Sequence, residues 1–555
     1  MHNLSQSLQN QDFRHLQIIA ELWGVELEES DTRQALESLV PVLLEPQRLN
    51  EMLASLPEEA RIALDDLLVN GCKLPWSLFT RRHGEVREMG SGRRDRERPH
   101  LNPVSAAEAL WYRALVARAF FDSPDGPQEH AYIPVDLQEL LPQPAASGGA
   151  LLGRPAIPVE YAAISLASDR ILDHTCTLLA ALRLDFSPAA IDSLSNAWQP
   201  SGMVNPYPLS AQALEGFLEA AGLLDQNNHP NPETTRYFLE QPRSKALAQL
   251  TRAWMHSQSF NELRLLPGLV LEGEWQNDPL KARYAVLDYL SQIPAGKWWS
   301  LNAFIDAIHQ AHPDFQRPAG DYDSWYIRDQ QTGDSLRGFE HWDAVDGALI
   351  RFTILGPLRW LGVIELAAPA ADTLPGAFRF SPWAEALLNG APPDGLADEE
   401  DTFLISSDAR VRVPRLVPRT ARYQLARFSE WERESEDAYL YRLTPLSLER
   451  ARGQGLRVIH LLTLLRRYAL AVPPSLSKAL ERWQDMGSEA RLERATILHL
   501  KSPEMLQNLR ASRAARFLGD PLGPTTVIVR PGAAEKVMAA LAELGILGES
   551  ALEEE

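Results

Sequence analysis

Apolar residues recur at helical spacing along most of this chain, and the breaks between the runs carry turn residues. Phe13–Trp23 and Asp31–Leu44 read as two short helices. From Leu56 the pattern sharpens. Pro57 opens a helix over Glu58–Val69, and Asn70-Gly71 stops it. Lys73-Leu-Pro-Trp76 turns into a second helix that ends at Gly84. A third, opened by a capping box of Ser105 and Glu108, is predicted to run to Phe121. After the turn Pro124-Asp-Gly126, His130–Pro134 reads as a strand. Three helices followed by strand and turn is the order of a winged helix.

The pattern then repeats. Pro142–Pro155 is a linker by composition. Helices are predicted over Ser168–Leu184, Ser187–Trp198 and Ser210–Ala221, then a turn at Asn227–Pro232 and a helix over Lys245–His256. A third unit has helices over Leu280–Ile293, after the cap Ser300, and over Asp343–Leu355, ended by Gly356-Pro357. Leu358–Leu366 and Ala377–Phe380 pair as its wing. Its insertion Pro313–Trp342 holds Tyr322, Trp325, Tyr326 and Trp342, aromatics that either stack on a partner or pin the loop onto its own domain.

The last third begins near Asp401. Ala409–Val413 alternates, so a strand sends Val411 inward and Arg410 and Arg412 out together. The next residues read as a helix with Leu425, Phe428 and Trp431 on one stripe and Arg422 away from it. A strand over Tyr439–Thr444 follows, then a helix from Pro445, a helix over Leu456–Leu470 apolar nearly all round, and one over Ser475–Met486. Strands Ala495–Leu500 and Thr525–Val529 alternate with two more helices. The fold class expected is mainly α with small β wings: tandem winged-helix domains and a C-terminal α+β module. The boundaries are 1–54, 55–142, 156–275, 278–390 and 401–548.

Charge changes the picture locally. With 54 Lys+Arg, 74 Asp+Glu and a net charge of −20 over 555 residues, nucleic acid cannot coat the whole surface. A local basic patch is compatible with that, because screening confines fields to about 8–10 Å at cellular salt. Two stretches qualify. Between Arg81 and Arg98, in an insert without apolar periodicity, lie seven arginines against four acids. Between Ala409 and Ser429 lie six arginines and no acid. The candidate phosphate contacts are Arg81, Arg82, Arg87, Arg93, Arg94, Arg96 and Arg98 in the insert, and Arg410, Arg412, Arg419 and Arg422 on a basic outer face. In both places a solvated, arginine-rich surface accounts for the same letters.

Catalytic and metal motifs are missing. No GxxxxGK[ST] cradles a triphosphate, no HExxH and no GxSxG occurs, and the 13 histidines do not gather at metal-ligand spacing. Asp398-Glu-Glu-Asp401 imitates a helicase box in letters but reads as linker charge. No catalytic residue, metal or cofactor is expected. The two cysteines, Cys72 and Cys176, fit a reducing compartment, and no apolar run reaches membrane length, so a cytoplasmic location without membrane contact is expected.

The run FLISSDARVRVPRLVP, AYLYRLTPLSLERARGQG, LLRRYALAVPPSL, LGPTTVIVRP and ALAELGIL, over about 402–548, resembles the non-motor N-terminal domain of XPB-type DNA helicases, also present in bacterial helicase-associated proteins. GEVREMGSGRRDRERP and GPLRWLGVIEL look like the same bacterial family. Winged helices ahead of such a module also resemble the layout of the TFIIH subunit that clasps XPB. The resemblance implies a role in DNA repair or transcription without a motor. Two functions fit. One is a non-enzymatic DNA-binding protein that grips duplex or fork backbone with low sequence specificity. The alternative is a scaffold that docks an XPB-type helicase or a nuclease in trans.

Overall fold

The computed structural model describes residues 2–28, 31–123, 126–142, 151–198, 203–318, 321–435, 437–490 and 495–550. The turn at 124–125 and most of the linker at 143–150 lie outside these. Helices dominate, and strands are confined to small antiparallel sheets. Among the described residues no helix is long and apolar enough to cross a membrane.

Glu58–Val69, the strand Lys73–Pro75, the helix Trp76–His83 and the helix Ala106–Trp111 lead into a hairpin, Ala117–Ser123 with Gly126–Tyr132. The short strand pairs with the second arm of the hairpin, Lys73 opposite Tyr132, leaving the first arm at the edge. The same strand order recurs later. Trp299–Ser300 pairs with Ala377–Phe380, which pairs with Ile364–Ala368, and Ala163–Ser165 is added outside. Between these two units, the helices Ile171–Arg183, Pro188–Ser195 and Ala211–Ala220 are followed by a single bridge, Leu224 to Pro230, in place of a hairpin.

Several expected elements change character. The helix predicted to reach Phe121 stops at Trp111, because Ala114 takes a left-handed φ of 57° and turns the chain into the Ala117–Ser123 strand. The insert contains a helix, Ser91–Glu97, where a bare loop was expected. Trp431 is not on the helical stripe. The helix Arg419–Leu425 gives way after Phe428 to a strand, Glu430–Ser435, in which Trp431 sits opposite Tyr441. Val458–Tyr468 is amphipathic, with Leu461, Leu462 and Leu465 buried while Ile459 and Arg466 are exposed. The segment Asp343–Leu358 runs through Gly356-Pro357 in wide π-type turns.

Among the described residues, buried apolar side chains form three clusters. One spans Leu4 to Leu141 and joins the N-terminal helices to the first hairpin unit. The largest spans Leu152 to Leu480. A small one, Leu506 to Leu541, lies under the sheet of Thr496–His499, Thr526–Val529 and Leu518–Pro521. The strands and helices of 403–480 thus share a core with 152–387. The reason is the helix Arg419–Leu425, which packs on both Ile171–Arg183 and Pro232–Glu240.

Candidate nucleic-acid interface

The insert arginines divide by what they touch. Arg81 lies 4.0 Å over the Phe339 ring and 3.6 Å from Asp314. Arg82 is 2.9 Å from Asp66 and donates to the carbonyl oxygens of Gln310, at 3.1 Å, and Ala311. Both therefore join the Trp76–His83 helix to the unit around 301–342. Arg87 forms a 2.8 Å ion pair with Glu108, whose side chain is fully buried. Arg94 is buried, ion-paired to Asp12, and donates to His15 Nδ1 at 3.1 Å. Burial, helped by the Arg94 charge, pushes His15 down to about 4, so the ring is neutral and can accept. Arg93, Arg96 and Arg98 are exposed, and Arg93 pairs with Glu97 at 2.7 Å on the same short helix.

The stretch Arg410–Arg427 departs further from expectation. Arg410 is half-exposed between Asp408, at 2.6 Å, and Glu432, at 3.0 Å. Arg412 is exposed, and both line a cleft of ≈ 390 Å³ with Phe403, Leu404 and Leu470. Arg419 and Arg422, however, are only 1% and 3% exposed. The basic outer face is reduced to Arg410 and Arg412. Arg419 donates to Glu399 at 2.5 Å and to the Gln241 carbonyl at 2.7 Å. Arg422 donates to the Asp173 carbonyl and lies 3.8 Å over the Tyr439 ring. Arg415 reaches Asp169 and Asp173, each at 2.9 Å.

The acids absent from the stretch come from elsewhere. Asp169 and Asp173, at and in the start of the Ile171–Arg183 helix, also hold Arg243 at 2.6 and 2.9 Å, and Glu399 is 3.1 Å from the same guanidinium. Glu399 is therefore a structural ligand for two arginines, not free linker charge. Burial alone would raise the Asp173 carboxyl, but Arg243, Arg422 and Arg415 outweigh it and hold the group at about 2. Charges buried this way are tolerated because each carboxylate faces more than one guanidinium.

Residues 403–520 match the family described as helicase conserved C-terminal domain. Over 151 residues, 26% of this chain, the sequence is 29% identical to the DNA 3'-5' helicase XPB of Kineococcus radiotolerans. That alignment covers 27% of the relative, so the chain spans about a quarter of the length of the protein it matches. This part of the chain is helicase-related.

The helicase-related region meets the Ile171–Arg183 helix in a second buried contact. His174 stacks on Trp198 with ring centroids 5.0 Å apart, and its Nδ1 is 3.9 Å from Glu434. Burial pushes His174 down to about 3 and Glu434 up to about 7, so the imidazole is neutral and the carboxyl keeps its proton over the pH range just below 7. In the insertion 313–342, Tyr322, Trp325 and Trp342 are buried and Tyr326 is exposed. Arg317, 2.9 Å from the buried Asp346, packs 4.3 Å over Trp325, so three of the four aromatics pin the loop onto its own unit. Sequence spacing missed Asp169, Asp173 and Arg243 because their partners lie some 70 to 249 residues away. No local signal marks them.

Proposed function

We propose that this protein is a non-enzymatic DNA-binding protein in which tandem winged-helix units are joined to the helicase-related region. The strand order shared by the two hairpin units supports the winged-helix reading. The observation that carries the DNA reading is the insert. Arg94, buried on Asp12 and His15, anchors a short helix from which Arg93, Arg96 and Arg98 remain exposed, beside the helix that precedes the first hairpin. Such arginines grip phosphates of duplex or fork backbone and bring little sequence specificity. Arg410 and Arg412 supply a second patch. No phosphate loop is present in the sequence, so DNA binding is expected without nucleotide hydrolysis, in a cytoplasmic setting.

The test is the salt dependence of duplex binding. Replacing Arg93, Arg96 and Arg98 with Ala should flatten the log–log slope by about 0.9 per lost contact, nearly equally on unrelated sequences. A wild-type protein that shows no salt-dependent binding to duplex, fork or single strand would sink the reading. The cleft at Leu404 supports a second one. Its short edge strand, Leu404–Ile405, and the exposed Leu404 and Leu470 beside Arg410 and Arg412 suit an extended, partly acidic segment of a helicase or nuclease partner. Substitution of Arg410 and Arg412 would then abolish partner capture and leave DNA binding unchanged.

A further inference from the structure

A different cluster of arginines lies where the helicase-related region meets the helices of residues 171–240. Arg183, at the last turn of its helix, Arg236 on Pro232–Glu240 and Arg467 on Val458–Tyr468 line one cleft of ≈ 600 Å³, with Tyr423 and Tyr468 in its walls. Arg427 adjoins it, donating to Gln424 at 3.4 Å and to Gln454 at 3.3 Å.

They differ from the arginines that hold the core together. Arg243, Arg283, Arg317 and Arg419 each have a carboxylate within 3.1 Å. Among the described residues, none of Arg183, Arg236, Arg427 and Arg467 has one within ion-pair distance, although Glu240 also lines the cleft. Burial first, and the neighbouring Arg183 charge after it, push Arg427 below the usual arginine range. A concentration of this kind would be stabilised by a bound anion. Arg183 also lies 4.9 Å from the centre of the Tyr423 ring, and Arg467 5.1 Å from that of Tyr468. Planar cations and rings in a cleft of this volume suit a small ligand that carries both a phosphate and a base.

We propose that this cleft binds nucleotide phosphates, as a free mononucleotide or as a unit of a single strand. The site shares no residue with the Arg81–Arg98 insert, so it stands or falls separately from duplex binding there.

The full chain would be titrated at low salt with a labelled twelve-residue thymidine strand and, in a separate arm, with ADP by calorimetry. Arg236 and Arg467 are exposed, so Arg236→Gln with Arg467→Gln should leave the fold intact. The double variant should weaken whichever ligand binds by about tenfold or more. For the strand it should also reduce the salt slope by about 0.7 per lost contact. Arg93→Ala, Arg96→Ala and Arg98→Ala together should lower duplex binding and leave this affinity within about twofold. Sensitivity in the strand arm alone assigns the cleft to nucleic acid, and sensitivity in the ADP arm assigns it to free nucleotides. If neither ligand binds, or if the double variant binds as the wild type does, the proposal is overturned.

Discussion

Arg415 and Asp173, 242 residues apart in sequence, meet through a 2.9 Å hydrogen bond between Nη1 and Oδ2. Asp173 at the same time binds Arg243 through both of its oxygens, at 2.9 and 3.0 Å. One carboxylate thus ties the strand Arg410–Pro414 and its following turn to the helices Ile171–Arg183 and Arg243–His256. The contact decides what the arginine-rich stretch can do, because charge committed to Asp173 is not available to a ligand.

Stability should respond in proportion to burial. Asp173→Ala leaves buried guanidinium groups without a shared partner and should cost about 3–5 kcal/mol. Arg415→Ala removes a side chain that is 22% exposed and should cost only about 1–2 kcal/mol. Urea denaturation of the two variants checks the ranking, and equal losses would contradict it.

The dependence on pH has two parts of opposite sign. Asp173, held at about 2 in the folded chain, contributes stability above the ordinary aspartate range that is lost as pH falls toward 2. Glu434 is raised to about 7 by burial. Between about pH 4.5 and 7 the folded chain keeps a proton there that the unfolded chain releases, so stability falls as pH rises through this window. Glu434→Gln should therefore gain about 1–3 kcal/mol at pH 8 and almost nothing at pH 4. A gain of the same size at both values would exclude burial of the carboxylate as its cause.

Fragments should follow the cores. A chain beginning at Asp401 loses Asp169, Asp173 and Glu399, the partners of Arg415 and Arg419, and the apolar neighbours of the Arg419–Leu425 helix. It is expected to be unfolded when expressed alone, whereas residues 152–486 should retain a cooperative transition. Circular dichroism and thermal scans of the two fragments test this.

The insert should separate structural from binding arginines. Arg94→Ala removes a buried partner of Asp12 and His15 and should cost about 1–3 kcal/mol of stability. Arg96→Ala and Arg98→Ala, both on exposed side chains, should leave the melting temperature within about 1–2 °C while weakening duplex binding. Loss of binding without loss of stability in the Arg94 variant would reverse this assignment.

Local chemistry by itself determined much of the element order. Pro57 and Asn70-Gly71 set the limits of Glu58–Val69, and the alternation of Ala409–Val413 produced the strand Arg410–Pro414 with Val411 and Val413 inside, because caps, turns and strand periodicity act over a few residues. The strands Ala117–Ser123 and Glu430–Ser435 were hidden behind adjacent helical runs until a left-handed Ala114 and the pairing of Trp431 with Tyr441 set them apart. Only the tertiary structure decided which arginines are free. The sequence from Ala409 to Ser429 contains no acid, yet Arg415, Arg419 and Arg422 are taken up by Asp169, Asp173 and Glu399, with Arg422 held by the Asp173 backbone. Conversely, Arg183, Arg236 and Arg467, far apart along the chain, come together around one cleft. Electrostatic partnership depends on distance in space, and packing of the Arg419–Leu425 helix against Ile171–Arg183 and Pro232–Glu240 sets those distances.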